Sequence, residues 1–210
     1  MSIPVTDTDG NTYFTMKIGD QCWMAQNLKV THYRNLDPIP NVIDNGEWET
    51  LTTGAYCNYD NDEAYVATYG RLYNWYAVND SRNISPVGWH VPSDAEWKEL
   101  EMYLGMSQAE SDATGLRGTD EGGKLKEAGT IHWYAPNTGA TNESGFFALP
   151  GGYRASYGDF LHMGYIAPFW SSAESSSSLA WYRSLYNNNS QVSRSSNDKE
   201  IGFSIRCVKD

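Results

Sequence analysis

"GWHVPSDAEWKELEMYLG", residues 88–105, marks out a helix by local chemistry alone. Ser93 stands as the N-cap, and Glu96 completes a Ser-x-x-Glu capping box, each residue satisfying an N–H group that a helix start leaves without a partner. Trp97, Leu100 and Leu104 then recur on one face, and Gly105 offers a C-cap. His90 precedes the cap between Trp89 and Val91. With no acid or metal partner at a recognisable spacing, it reads as a structural histidine.

Working outward, "GFSIRCVKD" at 202–210 alternates as a closing strand, with Phe203, Ile205 and Cys207 on one face and Ser204, Arg206 and Val208 on the other. "YGRLYNWYAV" at 69–78 spaces Tyr69, Leu72, Tyr73, Tyr76 and Ala77 as the buried stripe of a second helix. "DTDGNTYFTMKIGDQCWM" at 7–24 reads as hairpin material. Asp9-Gly10 turns the chain, Phe14, Met16 and Ile18 share a face, and Gly19 turns it again. Residues 31–66 form a long loop-rich stretch whose Trp48, Tyr56 and Tyr59 argue that it folds back on the core. Within it, Asp60, Asp62 and Glu63 read as a solvated acidic turn, with a hard cation such as calcium as the alternative, which no specific motif indicates. "GGKLKEAG" at 122–129 suits a turn or two of helix, and "FW" at 169–170 and "LAWYRSL" at 179–185 are further strands.

The 210 residues suit one domain, with residues 1–4 as a tail and enough apolar content, 40%, for a packed core. A net charge of -11 without any basic run excludes binding to nucleic acid or an anionic membrane through clustered cations. No apolar stretch approaches the roughly 20 residues of a spanning helix, so membrane insertion is not expected. "MSIPVTDTDG" has no signal-peptide core, which leaves localisation open. Cys22, Cys57 and Cys207 cannot all pair with one another. One disulfide plus a thiol, or three thiols, are the alternatives. There is no GxSxG, HExxH, P-loop or GxGxxG opening a helix, and His132 and His162 have no chelating neighbour. No cofactor is expected.

Taken together, "IGDQCWMAQNLKVTHY", "YGRLYNWYAV", "GWHVPSDAEWKELE", "LPGGYR", "FWSS" and "GFSIRCVKD" resemble, in order and spacing, the Fibrobacter succinogenes major paralogous domain, from about Val5 to the C-terminus. That resemblance implies an α+β fold of the C-type-lectin-like kind, in the branch that includes the formylglycine-generating enzyme. Two principal helices, short mostly antiparallel strands and much loop are then expected. In that enzyme, copper is held by a pair of cysteines late in the chain. Here no cysteine lies between Cys57 and Cys207, and Cys207 matches the structural cysteine of the closing strand. A copper-dependent oxidase is accordingly the least favoured reading.

In such a fold, "RSLYNNNSQVSRSSNDKE" at 183–200 falls where C-type-lectin-like domains commonly bind ligands. Tyr gives rigid contact area and Ser and Asn give adaptable hydrogen bonds, the division of labour of antibody paratopes. Residues 171–200 also resemble the variable segment of proteins served by diversity-generating retroelements, which randomise AAC-type codons. Ser, Asn, Tyr and Asp lie one adenine change or none from such a codon. Tyr182, Ser184, Tyr186, Asn187, Asn188, Asn189, Ser193, Ser195, Ser196 and Asn197 interrupt the fixed-looking Trp181, Arg183, Leu185, Val192 and Arg194. The expected function is non-catalytic binding of a protein or glycan through this segment. Trp170, Trp181, Tyr182 and Tyr186 are candidate anchors, and the Ser and Asn positions tune specificity. The alternative is a structural or adhesive surface module with a fixed ligand. The resemblance suggests a secreted, cell-surface or virion-associated protein.

Overall fold

The computed structural model describes residues 3–210, an α+β arrangement of several short antiparallel sheets and few helices. Two four-stranded sheets organise it. The first begins with the hairpin Thr15–Ile18 and Gln21–Met24, turned by Gly19 at φ +61°. The closing strand Val208–Lys209 enters between Gln21–Met24 and Trp89–His90, so the two ends of the chain are joined in one sheet. The second sheet runs Ile166–Glu174, Leu179–Tyr186, Val192–Asp198 and Gly115–Arg117, all antiparallel. Of the expected tail, Met1 and Ser2 lie outside the described residues. Ile3 is exposed, and its carbonyl accepts the Thr15 hydroxyl at 3.0 Å.

The helix announced by the capping box spans Asp94–Tyr103. Ser93 Oγ accepts from the Glu96 N–H at 3.2 Å, and Glu96 Oε2 accepts from the Ser93 N–H at 2.8 Å. Trp97 and Leu100 pack into a core cluster with Trp23, Phe146, Phe169, Leu185 and Val192. A second cluster gathers Tyr13, Tyr73, Trp75, Trp89, Trp170 and Phe203. The loop-rich stretch does fold back, with Trp48 and Tyr56 buried.

The expected helix over 69–78 does not form. A short helix ends at Tyr69, Gly70 turns at φ +76°, and Leu72–Tyr73 pairs as a strand with Tyr56–Cys57 before Asn74 caps a new turn, Trp75–Val78. A Cβ at Gly70 would lie 2.7 Å from Asn27 and 2.9 Å from the Leu28 carbonyl, so a tertiary contact fixes the break. Among the described residues Asp94–Tyr103 is therefore the one helix of ten residues, where two principal helices were expected. Phe14 sits between strands and is exposed, off the face of Met16 and Ile18. The closing segment is buried on both faces, because it passes between Tyr73, Phe169 and Arg154 through single bridges. All three cysteines are free thiols. Among the described residues no helix is long and apolar enough to cross a membrane.

His90 is tied at both nitrogens, to Glu96 Oε1 at 2.7 Å and Asp210 Oδ1 at 2.6 Å. Burial opposes its protonation, but the bonds to Asp210 and Glu96 prevail and its pKa is raised. A histidine raised in the folded state gives stability that is complete below its unfolded pKa of about 6.5 and is lost as pH rises through the folded value. The melting temperature is expected to fall as pH rises from about 6 to 8, and His90→Gln to flatten that dependence. Thermal scans in that range check it. An equal slope in wild type and variant removes His90 as the cause.

Candidate ligand-binding face

The register of the second sheet sorts its side chains into two faces. Tyr182 pairs with Trp170 on one side and Ser195 on the other, Ser184 with Pro168 and Ser193, Tyr186 with Ile166, and Ala180 with Asn197. Tyr182, Ser184, Tyr186, Ser193, Ser195 and Asn197 thus share one face. Trp181, Arg183, Leu185, Val192 and Arg194 share the other, where the helix Asp94–Tyr103 lies. There Phe169 meets Trp97 with ring centroids 5.9 Å apart. Arg183 reaches Glu101 at 2.7 Å and Asp94 at 2.8 Å, and Arg194 reaches Asp94 at 2.8 Å while its guanidinium lies 3.9 Å from the Trp181 ring. Although burial pushes Asp94 upward, the Arg194 and Arg183 guanidinia hold its carboxyl well below the usual carboxylate range.

On the first face a cleft of about 90 Å³ is lined by Tyr182, Ser184, Tyr186 and Asn197, with Tyr153 and Phe203 opposite. Ser184, 2% exposed, is a small residue of the floor, and its cross-strand partner Ser193 is buried outside the lining, so neither offers a side chain at the surface. The Tyr182 ring stacks 4.8 Å from Phe203. Burial raises its phenol, which therefore stays neutral and can both donate and accept. The site offers aromatic walls, hydroxyls and an amide, a surface suited to recognition through hydrogen bonds and ring contact.

Three expected site residues are corrected. Trp170 is 0% exposed, donates from Nε1 to the Tyr73 carbonyl at 2.9 Å, and packs 4.5 Å from Phe203. It shares the face of Tyr182, but the closing segment covers it, so it is core rather than an anchor. Asn187 is buried, and both of its amide donors are spent on the Tyr134 and Ala135 carbonyls at 3.2 and 3.1 Å, so it fastens the hairpin. Ser196 opposes Trp181 on the helix side of the sheet. Asn188 is exposed at the hairpin end, and Asn189 Oδ1 accepts from the Gln191 N–H at 2.8 Å.

Several residues at this site had no signature in the sequence. Lys126, fully buried, donates to the carbonyls of Thr138, Tyr186 and Asn189 at 2.8–2.9 Å, holding the hairpin by its backbone. Gly122 lets the hairpin, and Gly123 lets the segment at Gly139, lie against the short helix Glu121–Leu125. A Cβ there would meet the Gln191 carbonyl at 2.2 Å or the Gly139 carbonyl at 2.1 Å. That Gly-Gly pair inside a helix was the one available signal. Tyr134 and Tyr165, both exposed with rings 4.7 Å apart, flank Asn187 and extend the aromatic surface.

The other candidate chemistry is dispersed. Glu63 pairs with Arg71 at 3.0 Å and Asp62 caps the Ala64 N–H, while His132 bonds Glu127 at 2.8 Å and His162 is exposed. Among the described residues no three of His, Cys, Asp or Glu gather as metal ligands. Burial pushes the Cys57 and Cys207 thiols up to about 12, so both are protonated near neutrality. The family model of the Fibrobacter succinogenes major domain matches residues 16–209. No curated protein and no solved structure matches the chain.

Proposed function

The chain belongs to the Fibrobacter succinogenes major domain family, and on that premise we propose that it is a non-catalytic binding domain of C-type-lectin-like fold. The closing strand between Gln21–Met24 and Trp89–His90 supports that fold, since it brings the chain ends together in one sheet. The ligand is a protein or glycan outside the chain, met by Tyr182, Tyr186, Ser195 and Asn197 around the cleft and by Asn188 at the hairpin end. The face is diversified by adenine-directed codon change.

One observation carries this reading. Six Ser, Asn and Tyr positions fall on one face of two paired strands, while the charged and apolar residues between them are used on the other face, against a helix. Because Lys126 grips carbonyls, side chains on the outward face can change without unfastening the hairpin.

Sequencing of this gene across a natural population of its source tests the proposal. Substitutions at adenine-bearing codons are expected at 182, 186, 188, 195 and 197, and not at Trp181, Arg183, Arg194 or Ser196. Sparse or evenly spread change would refute diversification and favour a module with a fixed ligand. Binding itself is read separately on glycan and purified surface-protein arrays. No saturable binding on either would count against a receptor role.

A further inference from the structure

A second cleft, of about 420 Å³, shares no lining residue with the Tyr182 face and lies within the size range of small-molecule sites. Its lining comes from Phe14, the bend Ala25–Asn27, the short helix Val66–Tyr69, His132 and the segment from Phe147 to Leu149, with Arg206 among the lining residues. Phe14 and Phe147 are both exposed. Phe147 holds a left-handed φ of +56°, an outlier for a bulky side chain, with its N–H on Asn142 Oδ1 at 2.9 Å. The fold thus bears backbone strain to place an aromatic ring in water.

Arg206 is 1% exposed. Its Nε and Nη2 donate to Asn27 Oδ1 at 3.1 and 2.8 Å, and its Nη1 donates to the Met24 and Phe146 carbonyls. These four bonds reach only neutral acceptors and leave one of its five N–H donors free. Arg117 and Arg183, by contrast, each meet a buried carboxylate. Arg154 is also bound to neutral acceptors, but it does not line this cleft. Burial lowers Arg206 to about 9, which still leaves it charged at neutral pH. No lining residue is acidic, although the chain carries 26 Asp and Glu and a net charge of -11. His132, anchored through Nδ1 to Glu127, leaves Nε2 without a partner among the described residues.

We propose that this cleft binds an organic monocarboxylate with an apolar body, its carboxylate on the free Arg206 N–H and its body between Phe14 and Phe147. The anion supplies the counter-charge that a buried guanidinium lacks here, and the rings cover apolar surface that is otherwise wet.

The probe is phenylacetate, with phenylacetamide as its neutral counterpart, titrated into the full ¹⁵N-labelled chain at pH 7. Phenylacetate is expected to shift the Arg206 Nε–H signal saturably, with a Kd on the order of 1 mM, and the amide to bind at least about tenfold more weakly. Thr68→Glu, at an exposed lining position, should abolish the phenylacetate shift while leaving the melting temperature unchanged. Tyr186→Ala should leave the shift intact. Equal binding of acid and amide, no saturation, or full binding by Thr68→Glu would overturn the proposal.

Discussion

Glu101→Ala is expected to lower stability by about 3–5 kcal/mol, the cost of stranding buried charge. Glu101 is 0% exposed in the last turn of the helix Asp94–Tyr103, where it accepts from Arg117 Nη2 at 2.8 and 2.9 Å and from Arg183 Nε at 2.7 Å. Its removal leaves Arg117 with only a sulfur and a carbonyl, and Arg183 with Asp94 alone. Glu101→Gln keeps the volume and one acceptor oxygen and should cost less. Chemical denaturation followed by tryptophan fluorescence checks both variants. An unchanged midpoint for Glu101→Ala would mean that apolar contacts such as Trp97 with Phe169 hold helix to sheet unaided. The functional stake is direct, since Arg183 lies between Tyr182 and Ser184 in the chain and anchors the central strand from behind.

Local signals were legible in the sequence, and covered surfaces were not. Ser93 and Glu96 fix the helix start through bonds three residues apart, so the capping box reads correctly without any tertiary knowledge. The stretch 69–78 has helical spacing, yet Gly70 packs against the Asn27–Leu28 backbone and Asn74 Oδ1 accepts from the Ala55 N–H, contacts that no window of ten residues contains. Alternation groups Trp181, Arg183 and Leu185 within one strand and Val192 and Arg194 within the next, because a strand's period of two needs no knowledge of its partner. Only the hairpin register brings the two groups to one face. The aromatic character of Trp170 marks it as a candidate anchor, but nothing local shows that Phe203 and Tyr73 lie over it. Lys126 looked like any lysine of a polar turn. Its three carbonyl partners come from segments 12 to 63 residues away.

Trp170→Ala and Tyr186→Ala, at two positions of adjacent strands on the same sheet face, should have opposite consequences. Trp170 fills the core against Phe203, so its truncation costs about 3–5 kcal/mol and the variant is expected to lose near-ultraviolet structure or fail to fold. Tyr186 is half-buried at the cleft and its carbonyl, not its ring, is what Lys126 holds. Replacing its side chain therefore leaves the hairpin fastened, and stability should change by less than about 1.5 kcal/mol. Binding to any array-identified ligand should nevertheless weaken at least about tenfold, the loss of about 1.4 kcal/mol that a single aromatic contact at an interface commonly carries. Melting curves and a binding titration on the same two proteins decide the matter. If Tyr186→Ala unfolds as readily as Trp170→Ala, the cleft is part of the core and the binding face must lie elsewhere. If it folds and binds undiminished, the ring is a bystander, and contact would fall to Asn188 and the Tyr134–Tyr165 pair beyond the hairpin.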